Sequence, residues 1–72
     1  METTVGRIRR RLEMTQAQLA GAIGVTPSAI AHMERGRRQP TVPQAWRILM
    51  LCRERRIACS LEALLPNPYT ED

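Results

Sequence analysis

The stretch QAQLAGAIGVTPSAIAHMER, residues 16–35, decides how this chain folds. Just before it, Thr15 with Gln18 forms a capping-box pattern, in which the hydroxyl and the amide satisfy orphan backbone donors at a helix start. A helix is predicted from about Gln16 to Ile23. Gly24 then supplies the left-handed backbone that ends a helix within one residue. Thr26 and Pro27 restart it at once, Thr as a preferred cap and Pro at the first helical position, where its missing N–H costs nothing. The next helix is predicted from Pro27 to about Arg35. Two short helices joined so tightly must cross at roughly 100° with their backbones close together. Ala20 is small enough for that crossing, and Leu19, Ile23, Val25, Ile30 and Met33 point into the shared core.

Working outward, Thr3 or Thr4 caps a first helix whose Val5, Ile8 and Leu12 recur at helical spacing, leaving Arg7, Arg10 and Arg11 toward solvent; it should stop near Glu13. Downstream, Gly36 ends the third helix, and Arg37, Arg38, Gln39 and Pro40 form a basic loop. Thr41 with Gln44 repeats the capping box, with Pro43 in the first turn, and opens a fourth helix to about Arg56. Its Ala45, Ile48, Leu49 and Cys52 suit a buried stripe. Met50 and Leu51 widen the apolar arc beyond what one small core needs, so part of it is available to a partner. Ser60 caps a short fifth helix ending near Leu65, with Glu62 in its favourable first turn. Pro66 and Pro68 forbid continuation, and residues 66–72 read as a flexible tail behind a single domain over 1–65. Strand signals are weak, so the fold is expected to be all-α with five helices.

Composition narrows the function classes. With 72 residues, the chain has room for one small core, and a deep catalytic cleft is not expected. Eleven basic residues, all arginine, oppose seven acidic ones for a net charge of +4. Between residues 7 and 56 the balance is +8 and the termini remove four, so the positive charge sits on the folded body, as a polyanion binder requires. No apolar run approaches the 18 or so residues of a membrane span. The N-terminus carries no secretory pattern, and the protein reads as cytoplasmic. Cys52 and Cys59, with His32 as the one histidine, cannot assemble a four-ligand zinc site, and a disulfide is not expected; Cys52 reads as core. Neither a metal nor another cofactor is implied. His32 has no nucleophile and carboxylate arranged around it, and with no nucleotide loop or paired-carboxylate site, an enzyme is the class with least support.

Counting Gln16 as position one, Ala20 is fifth, Gly24 ninth, Ile30 fifteenth and Met33 eighteenth, the spacing of a helix-turn-helix. Over about residues 4–65 the chain resembles the lambda-repressor-like (Cro/repressor, XRE-type) helix-turn-helix family of phage and bacterial transcription regulators. The likeness rests on MTQAQLAGAIGVTPSAIAHMERGRRQPT and SLEALL, with "TQ", "LA", "GV" and "ERG" in order and at the family's distances. It implies a five-helix DNA-binding domain whose second and third helices form the motif, and a sequence-specific repressor of double-stranded DNA, Cro-like and of phage or prophage type.

The resemblance also assigns positions. Thr15 and Gln16 fall where the family grips phosphate, with Gln16 bracing the recognition helix as well. The base-reading positions fall on Thr26, Pro27, Ser28 and His32, with Ala31 beside them. Pro27 departs from the polar residue often found there and offers only apolar contact, for example to a thymine methyl. Arg35, Arg37 and Arg38 match the phosphate-gripping loop. Arg9 and Glu34 match a partly buried ion pair between the first and third helices; a solvated or phosphate-bound Arg9 is the alternative. Arg7, Arg10 and Arg11 are read equally as an outer charged face or as phosphate contacts, and Arg53, Arg55 and Arg56 as solvent or dimer-rim charges. A homodimer is expected through the fourth helix or the 57–65 segment, with Trp46, Met50, Leu51 and Leu65 as candidate anchors, although core packing is the first role expected of Trp46. An antitoxin-type regulator that also binds a protein partner, and a restriction-system controller, share the same motif.

Overall fold

In the computed structural model, residues 3–65 are described, and the tail expected over 66–72 lies outside them. Five helices follow in order: α1 (Thr4–Arg11), α2 (Gln16–Ile23), α3 (Pro27–Glu34), α4 (Val42–Glu54) and α5 (Leu61–Leu64). Each begins at a hydroxyl cap. Thr3, Thr15, Thr26, Thr41 and Ser60 accept from the third residue onward, and the Thr15–Gln18 and Thr41–Gln44 boxes are both closed. Five caps of roughly 1 kcal/mol each matter to a chain this short.

The helix ends share one device. Met14, Val25, Arg37 and Ile57 donate their backbone N–H groups back to the carbonyls of Arg9, Ala20, His32 and Cys52. In each case the residue before the donor is left-handed: Glu13 (φ 57°), Gly24 (77°), Gly36 (75°) and Arg56 (57°). Only two of these four are glycines. At Glu13 and Arg56, where α1 and α4 were expected to stop, a non-glycine residue takes that angle, and the last helical residues are Arg11 and Glu54.

Helices α1–α4 close over one core made of Val5, Ile8, Leu12, Leu19, Ala20, Ile23, Ile30, Met33, Ala45, Ile48 and Cys52, with Leu64 of α5 sealing it. Cys52 is fully buried, and burial first, then the neighbouring Cys59, pushes its thiol up to about 11, so it behaves as an inert apolar group at neutral pH. Two expectations for α4 are corrected. Leu49 remains half-buried at the helix edge, while Leu51 packs against the core together with Ile57, Cys59, Leu61 and Leu65, because α5 folds back onto α4. Trp46 is not a core residue either: it is 47% exposed, since the buried line 45–48–52 passes on the other side of the helix. Among the described residues, no helix is long and apolar enough to cross a membrane.

Candidate nucleic-acid interface

Helix α3 divides cleanly into two sides. Ala29, Ile30 and Met33 are buried, whereas Thr26, Pro27, Ser28 and His32 are exposed and Ala31 is half-buried between the two sets. Ser28 and His32 stand one turn apart on the open side. The Thr26 hydroxyl accepts from the Ala29 N–H at 3.1 Å, so its lone pair holds the helix start while its own proton remains to be donated outward. Thr15 is arranged alike, accepting from Gln18 N–H at 3.1 Å at the start of α2. Arg35, Arg37 and Arg38 are exposed where α3 ends and the loop departs. The left-handed Gly36 makes that departure abrupt, and space for a Cβ around it is open.

What fixes the pose of α3 is a junction of three helices around Glu34. The Arg9 guanidinium of α1 meets the Glu34 carboxylate through two N–H groups, Nε on one oxygen and Nη2 on the other at 3.2 Å. Its remaining arm donates to the Met14 carbonyl at 3.0 Å. From α2, the Gln16 amide donates to Glu34 Oε1 at 3.1 Å. Partial burial pushes the Glu34 carboxyl up, but the hydrogen bonds from Arg9 and Gln16 and the charges of Arg9 and Arg10 outweigh it and hold the group below the ordinary carboxylate range. Arg9 and Glu34 retain only 20% and 14% of their side-chain exposure, so the bidentate pair is largely shielded from solvent.

Two further braces carry no mark in the sequence, Arg47 on α4 and Arg55 at its C-cap. Arg47 Nη1 donates to the Ile23 carbonyl at 2.9 Å and Arg55 Nη1 to the Leu12 carbonyl at 3.0 Å. From the middle and the C-terminal cap of α4, they place cations on the negative C-terminal ends of α2 and α1. Arg55 is exposed, as expected of it, but its guanidinium also braces one helix against another. Arg47 also explains the turn. A Cβ on Gly24 would lie 2.8 Å from Arg47 Nη1, so glycine suits the position for its left-handed angle, and a side chain there would also push the guanidinium off the Ile23 carbonyl. A basic residue near a helix C-terminus is a weak signal, and these partners are 24 and 43 residues away in sequence.

Two helices crossing at a glycine elbow, the second with an exposed polar face flanked by arginines, define a helix-turn-helix DNA-binding module. Residues 5–56, well over half of the chain, match the helix-turn-helix family of the XRE type, and the chain belongs to it. It is thus a DNA-binding module of transcription regulation, and its family is non-catalytic. No curated protein and no solved structure matches the chain.

Proposed function

We propose that this protein is a sequence-specific repressor of the Cro-like, phage or prophage kind, acting in the cytoplasm as a homodimer on double-stranded operator DNA. The observation that carries this reading is the open side of α3, where Ser28 and His32 stand one turn apart, back to back with buried Ile30 and Met33 and next to Arg35, Arg37 and Arg38. In it, Thr26, Pro27, Ser28, Ala31 and His32 meet base edges in the major groove, while Thr15, Gln16, Arg35, Arg37 and Arg38 hold flanking phosphates. Two subunits read half-sites about 34 Å apart, which offsets the limited specificity of one small domain. Repression follows from occupying the operator and excluding polymerase.

A second reading, an antitoxin-type regulator that also holds a protein partner, draws support from the apolar side chains exposed on α4. The first is tested by selecting bound duplexes from a random pool and then comparing variants on the selected and an unrelated duplex. Ser28→Ala or His32→Ala is expected to weaken the selected duplex by about 1 to 3 kcal/mol and to spare the unrelated one. Equal losses on both duplexes would overturn the base-reading role.

A further inference from the structure

Helix α4 leaves a line of large apolar side chains in solvent: Val42 is 52% exposed, Trp46 47% and Met50 53%. They recur every fourth residue, so they lie on one stripe about 12 Å long. The next residue on that stripe is Glu54, which closes the helix. Arg47, the neighbour of Trp46, is turned away to the Ile23 carbonyl, which keeps a charge off the stripe's edge.

We infer that this stripe is the seat of a second copy of the same chain, with the two α4 helices antiparallel and Trp46 on the two-fold axis. The spacing is self-complementary, because Val42 and Met50 are equidistant from Trp46. A two-fold there lays Val42 of one copy against Met50 of the other and Trp46 against Trp46, as an isologous contact demands. Charge selects the same direction. Counting outward from Trp46, Glu54 comes about one turn beyond Val42, so it faces the positive N-terminal end of the other α4. Parallel pairing would instead set Glu54 against Glu54 and Arg53 against Arg53. A flat aromatic ring at the centre, flanked by unbranched Met and by Val, is the composition of a binding hot spot with a charged rim.

The inference deepens the dimeric reading above and rests on it only for its purpose, so its test omits DNA. Trp46 is the single tryptophan of the chain, and its emission should shift to the blue as the wild-type protein is concentrated through the micromolar range. In sedimentation, Met50→Glu should weaken self-association by about 30-fold or more while the far-ultraviolet helix signal stays unchanged, as befits a surface position. Register is read by oxidative cross-linking in a Cys59→Ser background, buried Cys52 being retained. Trp46→Cys should cross-link to itself, and Val42→Cys should cross-link to Met50→Cys when the two are mixed but not when each is alone. A wild-type protein that stays monomeric, a dimer indifferent to Met50→Glu, or Val42→Cys cross-linking to itself would each overturn the inference. So would a tryptophan shift that only a foreign protein elicits. A wild-type monomer that still binds duplex removes this pairing alone, whereas a cross-linked dimer indifferent to duplex at low salt removes the DNA reading alone.

Discussion

The guanidinium groups of Arg35, Arg37 and Arg38 stand exposed at the end of α3, whereas those of Arg9, Arg47 and Arg55 reach inward, to the Glu34 carboxylate and to the carbonyls of Met14, Ile23 and Leu12. The side chain is the same and the charge identical; the difference lies in what each can reach. Every inward arginine finds a concentration of negative charge that folding itself creates, either a carboxylate turned from solvent or the open carbonyl end of a helix. The outward three lie where the loop leaves α3, next to the open side that carries Ser28 and His32. One residue type thus does two jobs, holding the frame of α3 from behind and presenting cations in front.

Removing the largest inward contact breaks this comparison most severely. Arg9→Ala strands Glu34 in a shielded site and should cost about 3 kcal/mol in urea unfolding at neutral pH, a large share of the roughly 4 to 10 kcal/mol available to a domain of this length. The pair also sets an acid edge. The Glu34 carboxyl titrates lower in the folded than in the unfolded chain, so its contribution is complete above the unfolded value of about 4.3 and disappears as pH falls through the lower, folded one. Unfolding midpoints measured down to acid should show that loss in the wild type and its absence in Glu34→Gln.

Arg47→Ala and Arg55→Ala should each cost about 1 kcal/mol in the same unfolding assay, because each removes one charge-assisted hydrogen bond from a partly solvated helix end. The salt dependence of DNA binding should keep its slope in both; a flatter slope would move them to the DNA-facing group. Arg37→Ala and Arg38→Ala should do the opposite, leaving stability within about 0.5 kcal/mol and reducing the salt slope by about one phosphate each. The smallest effect sharpens the contrast between neighbours. Arg56 is left-handed at φ 57°, so Arg56→Gly should stabilise by about 0.5 kcal/mol in thermal unfolding, although Arg55→Ala next to it destabilises.

The parts legible in the sequence are those encoded by neighbours along the chain. The limits of α2 could be read to the residue because Thr15, Gln18 and Gly24 act within one turn of the ends they set. The two sides of α3 followed from the spacing of Ile30 and Met33. The stops of α1 and α4 fall at the expected Glu13 and Arg56, but the left-handed angle those two residues adopt, one that glycine usually takes, carries no mark in the sequence. The roles of Arg47 and Arg55 were invisible for another reason: the carbonyls they cap become neighbours only after α4 has packed across the ends of α2 and α1. Trp46 was misassigned because its size suits a core, while the stripe that decides its environment is set by Ala45, Ile48 and Cys52.

The exposed corner at residues 35–38 is built wholly from guanidinium groups, in a chain with no lysine. Acetylation, the common covalent way to erase a cation, acts on side-chain amines and finds none here. Arginine also keeps its proton far into the alkaline range. The positive charge of that corner is therefore constant across the physiological pH range and beyond the reach of acetylation.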